Sequence, residues 1–117
     1  MKYVDGYVLP LPKKNLKAYL RLARMGYKMW KKYGALDYKE CVGEDLQNQW
    51  GTSFTKTMKL KAGETVVFSY IVFKSRAHRD QVNAKVMKEM EKGGMPKEMP
   101  FDVKRMVYGG FKAAVGS

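Results

Sequence analysis

Hydrophobic and polar residues change their period along this chain in a regular order. Lys2 to Leu9 alternates, with Tyr3, Asp5, Tyr7 and Leu9 on one side and Val4, Gly6 and Val8 on the other, the signature of a strand. Pro10 and Pro12 are expected to close it, and Pro12 suits a first helical turn, where its missing N–H costs nothing. Lys13 to Tyr33 then repeats at helical spacing. Leu16, Leu20, Ala23, Tyr27 and Trp30 form an inner face, and Gly34 is placed to end the helix in a left-handed cap. Leu22, Met25 and Met29 widen the apolar arc beyond what packing on one sheet requires.

Leu36 to Val42 reads as a second strand with Leu36, Tyr38, Glu40 and Val42 on one side, and Gly43 to Gly51 as a polar loop. Thr52 to Lys61 fits either a short helix or an extended segment, and the extended reading is favoured because Ala62-Gly63-Glu64 then turns it into a hairpin with the strand that follows. That strand begins at Thr65 and is the central one. Val66, Phe68, Tyr70 and Val72 are apolar on one side and Val67, Ile71 and Phe73 on the other, interrupted only by Ser69, so both faces need cover. Ser75 is placed to accept from the free N–H groups of a helix over Ser75 to Lys92, with Val82, Val86, Met87 and Met90 inside. Gly93-Gly94 stops it, and Pro96 and Pro100 hold an irregular connection. In a last strand over Lys104 to Val115, Gly109-Gly110 marks a bulge or a close backbone approach.

The order of main elements is strand, helix, strand, strand, helix, strand, which predicts one α+β domain over 1–117 with an antiparallel sheet on the ferredoxin-like βαββαβ plan. Two helices cover only one face of such a sheet. The second apolar face of the central strand is therefore expected to be buried against another copy, giving a homodimer.

Charge changes the picture at the first helix. Lys and Arg number 23 against 11 acidic residues, a formal charge of +12, and no acidic residue interrupts the stretch between Asp5 and Asp37. At about 100° per residue, Lys13, Lys14, Lys17, Arg21, Arg24, Lys28, Lys31 and Lys32 share an arc of roughly 100°. Such a stripe is either a solvated face or a surface for nucleic acid, with Lys17, Arg21, Arg24 and Lys28 as its contacts. No RNA-binding aromatic motif or DNA-binding turn accompanies it. The single Cys41 excludes an internal disulfide. With the single His78 it cannot close a zinc site within one subunit, so no metal and a reducing, cytoplasmic setting are expected. Met1 to Pro12 lacks the pattern of a signal peptide, and no stretch reaches the ~18 apolar residues of a membrane span. No glycine-rich phosphate loop follows a strand, so no nucleotide cofactor is expected.

The candidate chemistry lies where polar groups occupy inward positions. Arg79 and Asn83 are one turn apart and share a side with Val82 and Val86, while Asp5 sits in an interior strand. One reading is a pocket in which Arg79 holds a carboxylate or enolate, Asn83 orients it, and Asp5 and Tyr3 or Tyr7 complete the set. The other is an internal Asp5–Arg79 ion pair that fixes strand against helix. His78 is a general base, a haem axial ligand or a capping residue at the start of its helix. A Cys41–His78 nucleophilic dyad has no supporting motif.

Three segments also carry a resemblance: MKYVDGYVLPLPKKNL, GETVVFSYIVFKSRAHRDQVNAKVM and MPFDVKRMVYGGFKAAV, in that order. Over nearly the whole chain they resemble the uncharacterised bacterial YbaA-like family, whose closing motif usually reads FDGKRM. Val103 stands here in place of that Gly. The resemblance implies the dimeric α/β-barrel superfamily, in which two ferredoxin-like subunits pack sheet against sheet. Other branches of it include cofactor-free monooxygenases, haem-degrading enzymes and ligand-binding proteins. The expectation is thus a small anionic or aromatic molecule in a pocket between sheet and helices. If there is a reaction, it is cofactor-independent oxygenation or isomerisation, with Arg79 stabilising negative charge and Asp5 or His78 moving a proton. The alternative is a nucleic-acid-binding accessory protein using the basic helix.

Overall fold

The opening alternation forms β1 (Tyr3–Pro12) in a computed structural model that describes residues 1–93 and 98–116. Pro10 and Pro12 lie inside this strand rather than ending it. Past Val8, β1 has β3 on one side and no strand on the other, so a proline there removes no ladder bond on the open side. A 3-10 turn (Lys13–Asn15) leads into α1 (Leu16–Lys32), and Gly34, at φ +111°, stands just after it in the left-handed region. β2 (Asp37–Val42), α2 (Phe54–Thr57), β3 (Glu64–Phe73), α3 (Arg76–Gly93) and β4 (Val107–Lys112) complete the elements. Gly94 and Pro96 lie outside the described residues.

All four strands form one antiparallel sheet in the order β2-β3-β1-β4, an α+β architecture. Its register aligns side chains in rows across the sheet. One row runs Tyr108, Tyr7, Ser69, Glu40, and the next Gly110, Asp5, Ile71, Tyr38. Both rows face α1 and α3. Tyr3, Ile71, Phe73, Val82 and Val86 form one apolar cluster on this side, and Leu9, Leu11, Tyr19, Ala23 and Val67 form another. The opposite face carries Val4, Val8, Tyr70, Val72, Val107, Phe68 and Phe111, with none of the described helices over them. Phe68 is 44% and Phe111 61% exposed. Among the described residues, no helix is long and apolar enough to cross a membrane.

Several local expectations need correction. Thr52 to Lys61 is not extended. It holds the short helix α2, whose Ser53 Oγ accepts from Lys56 N at 3.2 Å, and β2 pairs directly with β3 in place of the hairpin. Thr55, Lys56 and Thr57 are all exposed, so no buried face drives this segment into a sheet. Tyr27 and Met87, assigned to inner faces, are exposed, while Tyr19 is the buried tyrosine of α1. Gly109 and Gly110 make no bulge, because the register is unbroken through them. The glycine at 110 instead answers a close approach, since a Cβ there would stand 2.9 Å from Tyr3 Cζ. Val103 sits in a 3-10 turn (Val103–Arg105) capped by Asp102, which accepts from Lys104 N at 3.0 Å. Nothing left-handed is required there, so a β-branched residue replaces Gly without strain.

The closing segment is anchored by Arg105. Its guanidinium makes a two-pronged contact with Glu64, at 2.7 and 2.9 Å, and donates to the carbonyls of Met58 and Lys59. Among the described residues, Lys59 is the non-glycine one with positive φ, +51°, so Arg105 secures the strained turn that feeds β3. The Arg105 hydrogen bonds, helped by the Lys61 N–H, hold the Glu64 carboxyl down to about 2. A carboxyl lowered in the folded state stabilises above its ordinary value and loses that contribution as pH falls through the folded value. Glu64→Gln should therefore flatten the loss of stability between pH 5 and pH 2 in urea unfolding. Parallel pH curves for wild type and variant would assign the acid limb to other groups.

Candidate functional site

Asp5 is fully buried, and the sequence around it explains how that is sustained. Ser75 Oγ accepts from His78 N at 3.1 Å and starts α3 immediately after β3, which brings Arg79 and Asn83 over β1. Arg79 Nη1 donates to Asp5 Oδ1 at 2.7 Å and Asn83 Nδ2 to Asp5 Oδ2 at 3.3 Å. Asn83 Oδ1 in turn accepts from Trp30 Nε1 at 3.0 Å, so one amide joins sheet, α3 and α1. Arg79 also donates to Asp80 and to Tyr108 Oη, and it lies 4.9 Å from the centre of the Tyr3 ring. Burial pushes the Asp5 carboxyl up, while the charge of Arg79 and the Asn83 amide draw it down. Of the expected pocket residues, Tyr3, Asp5, Arg79 and Asn83 thus stand together in a closed ion-pair network.

Tyr7 belongs to the neighbouring site. Between the sheet, α1 and α3 lies a cavity of about 720 Å³, with Tyr7, Ser69, Ile71, Tyr38 and Glu40 on its sheet side. Leu22, Ala23, Gly26 and Trp30 of α1 and Phe101 and Val103 of the closing segment form further wall. Six methionines line it: Met25, Met29, Met87, Met90, Met99 and Met106. Glu40 accepts from Tyr19 Oη and from Tyr38 Oη, each at 2.7 Å, one on each carboxylate oxygen. Burial first, and then the Glu40 charge, hold both phenols well above their ordinary value, so they remain neutral donors. Burial, with the charge of Asp5, does the same to Tyr7. Gly26 matters because a Cβ there would stand 2.8 Å from Tyr38 Oη, close enough to disturb the Glu40 contact.

Sequence reasoning passed over Tyr19, Glu40 and the methionine lining. The signal for Glu40 was present: a carboxylate on the same side of β2 as Tyr38 is an inward charge needing partners, as Asp5 is. The other candidates lie apart. His78 Nδ1 accepts from Lys74 N at 3.0 Å, so its ring closes the turn into α3. Cys41 is exposed and points to the face of β2 opposite that of Glu40, away from α3, so the Cys41–His78 dyad is not formed. Lys17, Arg21, Arg24 and Lys28 are exposed and have no ion-pair partner among the described residues, whereas Lys32 binds Glu89 at 2.7 Å.

These features define an α+β protein with a methionine-lined cavity under its helices and a buried ion pair beside it. The chain belongs to the family described as "Protein of unknown function (DUF1428)", whose model matches residues 2–103. "Uncharacterized protein YbaA" of Escherichia coli (strain K12) and of Shigella flexneri are each 38% identical to it over 115 residues, covering 98% of this chain and 98% of the relative. Among solved structures, "De novo designed protein Foldit4" is similar at 10% identity and a TM-score of 0.47, over 96% of this chain and 98% of that one.

Removing one partner of a buried charge pair leaves the other uncompensated, at a cost of about 3–5 kcal/mol. Arg79→Ala should accordingly lower the urea midpoint by a large margin, and a double variant Asp5→Leu, Arg79→Met should recover part of it. If Arg79→Ala kept wild-type stability, the network would not be what holds α3 to β1.

Proposed function

We propose that this protein binds a small, predominantly apolar or aromatic molecule in the cavity between sheet and helices, as the ferredoxin-like subunit of a homodimer. The observation that carries the binding reading is the cavity itself: about 720 Å³, within the range of small-molecule sites. Its carboxylate is already satisfied by two tyrosines. Tyr7 and Ser69 line it, and among the described residues their hydroxyls have no hydrogen-bond partner and are not left buried and unsatisfied. They are the free polar contacts for an occupant, and the methionines adapt their unbranched thioethers to its shape.

Binding is favoured over catalysis because the groups that would move a proton are engaged elsewhere, Asp5 with Arg79 and Asn83, His78 with the Lys74 N–H. Support for the subunit arrangement comes from the strand order β2-β3-β1-β4 with one helix after β1 and one after β3. The apolar face of Phe68, Val107 and Phe111 supports pairing with a second copy, sheet against sheet.

A neutral solvatochromic dye such as Nile red should bind with one site per chain and blue-shifted emission. Blocking the mouth with Met25→Trp and Met87→Trp, both at exposed positions, should weaken it at least tenfold with the fold intact. Loss of dye binding in a Phe68→Glu, Phe111→Glu variant instead would place the dye on the open sheet face and contradict the cavity reading. The same Phe68→Glu, Phe111→Glu variant should sediment as a monomer where the wild type is a dimer, and a monomeric wild type would contradict the pairing.

A further inference from the structure

On its α1 side, the mouth of the cavity is bordered by two cations. Met25 lines the cavity and is 59% exposed. Arg21 and Lys28 lie four residues before it and three after it on α1, the spacing that makes helix-surface neighbours. Neither has a carboxylate partner among the described residues. On α3, the corresponding neighbours of the exposed Met87 are Asn83, Ala84, Met90 and Glu91, so one carboxylate answers the two cations. Glu89 also borders the cavity, but its Oε1 already takes Lys32 Nζ and Tyr33 Oη, each at 2.7 Å. At the sheet end stands the carboxylate of Glu40. The field along the cavity therefore runs from negative at the Glu40 floor to positive at the α1 side of the rim.

Resting on the cavity reading above, we infer that the occupant is a single-chain amphiphilic anion. Its alkyl or arylalkyl chain lies among the methionines, and its carboxylate or similar head remains at the mouth beside Arg21 and Lys28. Glu40 excludes the reverse orientation, because it would set two negative charges together in a site of low dielectric. The head is solvated and reaches the cations near the surface. Its preference is therefore modest, about tenfold over a neutral chain at low ionic strength, and screened by salt. This assigns a role to two cations that no ion pair among the described residues explains.

The test compares decanoate, decan-1-ol and decyltrimethylammonium by calorimetric titration of the full chain at 20 mM and 500 mM salt. Decanoate should bind about tenfold more tightly than decan-1-ol at low salt. Arg21→Glu with Lys28→Glu should abolish that preference while decan-1-ol binding is retained, and Met25→Trp should weaken both ligands. Equal affinity for decanoate and decan-1-ol, or a preference for the ammonium, overturns the inference and leaves the cavity reading standing. Failure of all three to bind overturns both. Decanoate binding that survives Met25→Trp would place the anion on the outer helix face and overturn the inference. A random-sequence DNA duplex bound through Arg21 and Lys28, unaffected by Met25→Trp, with no decanoate preference, would overturn it in favour of nucleic acid.

Discussion

A carboxylate with no solvent exposure at the centre of a sheet constrains everything packed against it. Asp5 needs donors on both oxygens, and the chain supplies them from a helix seventy-four residues further on, Arg79 to Oδ1 and Asn83 to Oδ2. Once Asn83 Nδ2 is committed to Asp5, its carbonyl oxygen is free for Trp30, and α1 is held by the same residue that holds α3. Two residues along β1, the next inward position is Tyr7, and there the space between helices and sheet is not filled. The ion-pair network therefore sets the positions of the two helices beside the cavity, and the cavity depends on that scaffold without including its charges.

The two faces of the sheet have different chemistry. The inward face is partly polar, with Asp5, Glu40, Ser69 and Tyr7 among apolar residues, and each charge on it is paired or hydrogen-bonded. The outward face is apolar across three strands and needs no directional partner, only cover. A surface of that kind favours a broad, flat contact, while the inward face favours a bounded site with specific contacts. The proposed association and the proposed recognition would thus use different faces of the sheet.

The strands and both long helices were legible because period 2 and period 3.6 are strong over ten or more residues. β3 and α1 are the clearest cases. Segment 52–61 was misread because Ser53 acts through a cap, a local hydrogen bond that leaves no trace in hydrophobic period. Arg79 and Asn83 were found by asking which polar residues share a side with Val82 and Val86. A pocket between sheet and helices was expected from the resemblance, but most of its lining was not, because an unfilled space is a property of how far apart elements stand, and no residue type announces it. Methionine is the nearest signal: Met25 and Met29 extend the apolar arc of α1 beyond the sheet, and the excess faces the cavity. Arg105 was passed over although it stands in a quoted motif, since its partners Glu64, Met58 and Lys59 are more than forty residues away.

Six of the eight methionines among the described residues line the cavity, so their methyl groups report on it directly. The decisive measurement is the carbon–proton correlation spectrum of protein labelled at the methionine methyls, recorded as decan-1-ol is added. Saturable shifts at Met25, Met29, Met87, Met90, Met99 and Met106, with Met1 and Met58 unmoved, are what an occupied cavity predicts. Unchanged spectra, or shifts spread equally over Met1 and Met58, would contradict it.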